Sequence, residues 1–200
     1  MRLLFTRSRR RVRLPDVTLV GVDTRPERLQ HPLAECTREI EFGHVCVIAD
    51  APIRSAKDYS RWVCTELYKH VPTSHMLLFQ WDGYVKNPGA WSDAWLKFDY
   101  IGAPWWHADG MNVGNGGFSL RSRRLMQIVA TDPAITEYHP EDVKICRRYR
   151  PYLEAEHGIR FAPEEVARRF SLEGYKQPSR THTTEFGFHG RRVKFADRSR

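Results

Sequence analysis

Three short apolar runs, separated by two helix-length stretches, constrain this chain more than any other feature. They are DVTLVGVDT (Asp16 to Thr24), HVCVIAD (His44 to Asp50) and the segment MLLFQWDGYV (Met76 to Val85), whose apolar part is Met76 to Phe79. Runs of this length, β-branched or wholly apolar and closed by polar residues, read as buried strands. Between the first two, Pro26 suits the first turn of a helix predicted to reach about Phe42. Between the second and third, Ser55 to Asp58 opens a helix with Trp62, Leu67 and Val71 as core contacts. Strand, helix, strand, helix, strand predicts an α/β domain: a central, mostly parallel, Rossmann-like sheet with helices on both faces.

The remainder continues in kind. Trp91 to Phe98 reads as a short helix, and Asp99 to Trp105 (DYIGAPW) as a fourth strand broken by Gly102 and Pro104. A glycine-rich stretch, GNGGFSLRS (Gly114 to Ser122), runs into a hydrophobic turn and then a helix from about Ser122 to Ala130. Glu141 and Asp142 open a helix predicted to reach about His157, and Phe161 to Glu173 supplies a further short strand and helix before FGFHG (Phe186 to Gly190). No internal repeat is visible. One domain, residues 15–190, is expected between a basic arm, 1–14, and a basic tail, 191–200.

The chain of 200 residues is long enough to bury a core. The formal net charge of +8 favours a polyanionic partner: nucleic acid, an anionic membrane face or a phosphorylated substrate. Much of it lies in Thr6 to Arg13 and His189 to Arg200, which solvated tails would explain equally. The four cysteines, at 36, 46, 64 and 146, have no CxxC spacing and no histidine at zinc-ligand distance. No run is long enough to span a bilayer, and MRLLFT is too short for a secretory core, so a cytoplasmic protein is expected.

Chemistry is expected where strands end, because open α/β sheets bind ligands beyond the carboxyl ends of their strands. Asp23, Thr24 and Arg25 close the first strand and Asp50 the second, in position to hold a nucleotide. Gln80, Trp81, Asp82 and Gly83 follow the third, where the aspartate either holds a metal or sugar hydroxyl or caps the next turn. Asn115, Gly116 and Gly117 let backbone amides approach a ligand, or form a tight turn. Glu141 and Asp142 either complement a helix dipole or supply a general base, Asp142, with Glu141 in support. His189 beside Asp82 makes a candidate manganese or magnesium pair. His75, His107 and His139 are weaker candidates; His107 lies in WWHADG (Trp105 to Gly110), whose aromatics suit stacking on a sugar or base.

The ordered set QWDG, DYIGAPW, GNGGFSLRS, PEDV, FAPEEVARRFS and FGFHG resembles a glycosyltransferase-like domain family long labelled only as of unknown function, over roughly Thr18 to Gly190. It is similar, more widely, to the GT-A superfamily of nucleotide-sugar glycosyltransferases. The resemblance implies a GT-A-like domain, a nucleotide-sugar donor (uridine diphosphate sugar by default) and a divalent cation. It makes Asp82 the metal or donor acid, Gly116 and Gly117 the glycine loop, Asp142 the base of an inverting transfer and His189 the late histidine, and it implies that Arg121, Arg123 and Arg124 help neutralise the leaving group unless they are solvated helix residues. The usual Asp-x-Asp is absent, with Gln80 at its first place and Trp81 in the middle. Two alternatives stand beside this one: an acceptor that is a hydroxylated base in DNA, suggested by the charge, and a non-catalytic nucleic-acid or sugar-nucleotide binding module.

Overall fold

The computed structural model describes residues 11–173 and 184–190. Residues 1–10 of the arm and the tail 191–200 lie outside it, and with them most of the arginines behind the expectation of a DNA acceptor. Strand β1 (Val12–Val22) sits inside a five-stranded sheet ordered β2-β1-β3-β6-β5, with β2 Ile40–Ile48, β3 His75–Phe79, β5 Tyr100–Ile101 and β6 Phe118–Ser122. β1 pairs in parallel with β2 and β3, while β6 runs antiparallel to both β3 and β5. The sheet is therefore mostly parallel, as expected. A second sheet of three short strands, β4 (Gly83–Val85), β8 (Gly187–His189) and β7 (Ser171–Glu173), is ordered β4-β8-β7.

Alternation along the buried strands sends side chains to both faces. On one face Val20, Val22, Met76 and Leu78 pack with Val63 of α2 (Ala56–Thr65), Leu125 of α3 (Arg123–Thr131) and Leu153 of α5 (Arg150–His157). On the other, Leu19, Leu77 and Phe79 pack with Cys36 of α1 (Gln30–Thr37), Phe170 of α6 (Glu164–Phe170) and Phe186. Local chemistry sets the helix starts. Ser55 Oγ accepts from Asp58 N at 3.1 Å to open α2, and Ser122, the last residue of β6, accepts from Leu125 N at 3.0 Å to open α3.

Four sequence expectations are corrected. β1 begins at Val12, so Val12 to Leu14 are strand rather than arm; Pro15, which lacks an N–H, falls where the β1–β2 register shifts and before β3 pairing starts at Val17. The helix predicted to reach Phe42 is a 3-10 turn, Pro26–Leu29, followed by α1 ending at Thr37, because Ile40 is already claimed by pairing with β1. Phe118 to Ser122 is a buried central strand, not a turn. The helix from Glu141 to His157 is interrupted: α4 (Glu141–Val143) widens over Lys144–Arg148, where Tyr149 N bonds Lys144 O at 2.8 Å, and α5 restarts at Arg150. Pro151 has no N–H to continue the ladder, and its ring would clash with the carbonyl four residues earlier.

β6 carries Arg121, wholly inaccessible to solvent, in register with Met76 and Tyr100. Its Nη2 donates to Glu141 Oε1 at 3.1 Å and to Gly116 O at 3.3 Å, its Nε donates to Ser119 Oγ at 3.0 Å, and its guanidinium lies 5.1 Å from the Tyr100 ring centre. This buried pair ties α4 to the sheet. Removing one partner of such a pair costs more than removing both, because the survivor is left charged in a low-dielectric interior. Glu141→Ala is expected to lose about 3–5 kcal/mol in urea denaturation, while the double replacement Arg121→Met with Glu141→Leu recovers most of that loss.

Candidate functional site

β1 and β3 run parallel, so both end at the same edge of the sheet, and there a cleft of about 500 Å³ opens. Asp23, Thr24 and Arg25 line it from the end of β1, and Gln80 and Trp81 from the end of β3. Arg28, Arg54, Ser55 and Tyr59 complete its polar lining. Asp23 accepts from Arg25 N at 2.9 Å and pairs with Arg28 at 3.1 Å, and the Arg28 guanidinium lies 4.5 Å from the Trp81 ring centre. Gln80 Nε2 donates to Tyr59 Oη at 3.0 Å. Asp50 is exposed and does not line this cleft; the chain reaches the cleft three residues later, at Ile53 to Ala56.

The second half of the site is built by the small sheet. Gly83 of β4, His189 of β8 and Glu173 of β7 form one row across it. Partners in such a row point to the same face, so the row delivers His189 and Glu173 together, beside Asp82. His189 Nε2 lies 3.7 Å from Asp82 Oδ1, and its Nδ1 lies 3.3 Å from Glu173 Oε2 and 3.1 Å from Asn115 Nδ2. Asn115 Nδ2 also donates to Glu173 Oε2. Burial disfavours the imidazolium, but Glu173, then Asp82 and Asp142, outweigh it and hold the His189 pKa above its ordinary value.

The glycine loop joins this row to α4. Asn115 takes a left-handed backbone, φ 60°, which asparagine tolerates, and its Oδ1 accepts from Gly117 N at 3.0 Å. A Cβ on Gly116 would lie 2.0 Å from Glu141 Oε1, and one on Gly117 would lie 2.0 Å from His189 Nε2. Only glycine fits at either position. Gly116 N donates to Asp142 Oδ2 at 3.0 Å, and Val143 N to Asp142 Oδ1 at 2.8 Å. Asp142 is half-buried at the loop, whereas Glu141 points inward to Arg121; burial, then the neighbouring Asp142, push the Glu141 carboxyl above its ordinary range, with Arg121 opposing. Asp82, Gly83, Asn115, Gly116, Gly117, Asp142 and His189 thus meet around one loop.

Other candidates lie elsewhere. Because β6 is antiparallel, it leads to the far end of the sheet, where Arg123 and Arg124 start α3 and Arg123 Nε donates to Tyr68 O at 3.2 Å; the Arg121 side chain bonds Gly116 O and Glu141 beneath the glycine loop and does not line the cleft. His75 starts β3 at the opposite end, bonded to Phe98 O at 3.2 Å, and His139 Nδ1 meets Ser60 Oγ at 2.9 Å. His107 is in a hairpin rooted at the Pro104–Val113 bridge, just before the glycine loop. Asp109 pairs with Arg147 at 2.7 Å and clamps this hairpin to the turn after α4; those bonds draw the Asp109 pKa down to about 2. Trp106, at 71% exposure, stands on the hairpin. Among the described residues no group of three or more His, Cys, Asp or Glu is arranged to hold a metal ion.

Arg28, Arg54, Tyr59 and Glu173 were not singled out from the sequence. Arg28 and Arg54 each lie six residues beyond a strand end, Val22 of β1 and Ile48 of β2, a proximity that could have flagged them, whereas Tyr59 lies within α2. Glu173 had no signal, since its place depends on the pairing of β7 with β8.

The fold resembles that of a known glycosyltransferase. A glycosyltransferase involved in the glycosylation of the major capsid of PBCV-1 superposes over 88% of this chain and 95% of its own, with a TM-score of 0.54 at 13% identity. The galactosyltransferase LgtC, solved with donor and acceptor sugar analogs, covers 87% of this chain and 86% of its own, with a TM-score of 0.40 at 12% identity. No curated protein matches the sequence. Residues 44–189 match the family described as protein of unknown function DUF5672. That span holds β3, the glycine loop, Asp142 and His189, and the chain belongs to the DUF5672 family.

Proposed function

We propose that the protein is an inverting, GT-A-type glycosyltransferase that takes a nucleotide sugar, uridine diphosphate sugar being the default donor, and transfers the sugar to an acceptor hydroxyl. The observation that carries this reading is the gathering of Asp82, His189 and Asp142 around one glycine loop, with Asp82 next in the chain to Trp81 of a strand-end cleft that Arg25, Arg28 and Arg54 line. Arg25, Arg28 and Arg54 suit the charge of a diphosphate, and the edge on which they lie is where α/β sheets bind nucleotides.

In this reading the nucleotide lies in the cleft, with the sugar directed towards Asp82 and the glycine loop. The acceptor hydroxyl approaches from the side of the Trp105 to Gly110 hairpin, none of whose residues line the cleft. Asp142 takes the hydroxyl proton, the oxygen bonds the anomeric carbon, and the nucleoside diphosphate leaves with the electron pair of the broken bond. Attack opposite the leaving group inverts the centre. Backbone amides hold Asp142 in place while its remaining lone pairs stay open to a donor hydroxyl.

Asp82 and His189 would hold a manganese or magnesium ion: a carboxylate and an imidazole facing one another at 3.7 Å suit such a cation. Two protein ligands are too few alone, so the diphosphate oxygens would complete the shell. When bound, the ion would neutralise charge gathering on the leaving group.

Uridine diphosphate and its glucose, galactose and N-acetylglucosamine sugars, each with and without manganese, are expected to raise the melting temperature in a thermal-shift assay; no shift with any nucleotide or nucleotide sugar would overturn the reading. Asp142→Asn is expected to retain donor binding and the fold while transfer falls roughly 10²–10⁴-fold. Transfer at the wild-type rate in that variant would remove the assignment of the base.

A further inference from the structure

Glu173 stands apart from every residue the proposed chemistry uses directly. It is buried at the end of β7, paired in register with His189, and its Oε2 receives both the Asn115 amide and the near side of the His189 ring, Nδ1 at 3.3 Å. The contacts around that ring allow two arrangements. Either His189 Nδ1 carries the proton and donates to Glu173, leaving Nε2 as a bare acceptor facing Asp82, or Asn115 donates to Nδ1 and the proton sits on Nε2. Asn115 Oδ1 accepts from Gly117 N and one amide hydrogen goes to Glu173, which leaves the second within reach of Nδ1 at 3.1 Å, so the carboxylates decide: Glu173 lies 3.3 Å from Nδ1 and Asp82 3.7 Å from Nε2, and the nearer carboxylate holds the ring proton more strongly. A carboxylate oxygen accepts readily from two donors, whereas an amide nitrogen has no lone pair to offer the ring.

We infer that Glu173 is a positioning residue, which takes the Nδ1 proton of His189 as a hydrogen bond and so presents an unprotonated Nε2 to Asp82 and the cleft side of the site. A carboxylate behind an imidazole fixes both tautomer and ring angle, and raises the basicity of the far nitrogen. Only the identity of what Nε2 meets rests on the sugar-transfer reading; the pairing of Glu173 with the ring does not.

The test is long-range proton–nitrogen NMR on protein labelled with ¹⁵N-histidine, at a pH where the ring is neutral, with His189→Gln identifying the resonance. Wild-type His189 is expected as the Nδ1–H tautomer. Glu173→Gln, which keeps an acceptor oxygen, is expected to retain it, and Glu173→Ala to shift the ring towards Nε2–H as Asn115 takes over. An Nε2–H ring in the wild type, or an unchanged tautomer in Glu173→Ala, would overturn the inference; should Glu173→Ala fail to fold, the wild-type tautomer alone decides. In calorimetry, Glu173→Ala is expected to weaken manganese binding in the presence of uridine diphosphate about 10–100-fold, with Glu173→Gln less affected. Wild-type protein that binds no manganese with uridine diphosphate would count against the proposed function, while the tautomer would still decide the role of Glu173.

Discussion

Two adjacent glycines, each pressed against a side chain from a separate later segment, hold this site together. A Cβ on Gly116 would meet the Glu141 carboxylate, and one on Gly117 would meet the His189 ring. Interiors are packed too densely for either neighbour to yield much. The absence of those two methyl groups therefore lets α4 and β8 close on the same short loop. Beneath the loop, Arg121 binds both Glu141 and the Gly116 carbonyl, so a single buried cation fixes the height of the loop and the start of α4. Asp142 hangs from the upper side of the same loop by the Gly116 amide.

This arrangement divides the adjacent acids at 141 and 142 into different tasks. Glu141 faces the interior, where burial and Arg121 engage it; Asp142 faces the loop, with backbone amides on both oxygens. A helix start places consecutive side chains about 100° apart, which is enough to send one into the core and the other towards solvent. The small sheet performs a comparable division. Its row of Gly83, His189 and Glu173 puts the imidazole between two carboxylates, so neither acid confronts the other without an intervening donor.

Much of this was legible in the residues. The apolar runs at β1 and β3 and their polar ends predict a parallel pair whose carboxyl edge forms a cleft, and the glycines after Val113 predict a close backbone approach. The helix ends were less legible. Nothing local stops α1 at Thr37; pairing of Ile40 with Val12 does, and that is a contact between residues distant in sequence. Phe118 to Ser122 looked like a turn because glycines precede it, yet it becomes a central strand because β3 and β5 both need a partner there. The direction of that strand then carries Arg123 and Arg124 to the far end of the sheet, while Arg121 stays bonded beneath the loop.

The sequence by itself determined the class of fold, the edge of the sheet where the cleft opens and most of the residues gathered near it, because these follow from periodicity, strand-end polarity and residues whose chemistry is intrinsic. Tertiary structure alone decided that Asp50 stands aside, that Glu141 is an anchor and that Glu173 backs His189. Each of those outcomes depends on which distant segment packs against the residue, and a side chain's environment, unlike its identity, is set by the whole chain at once.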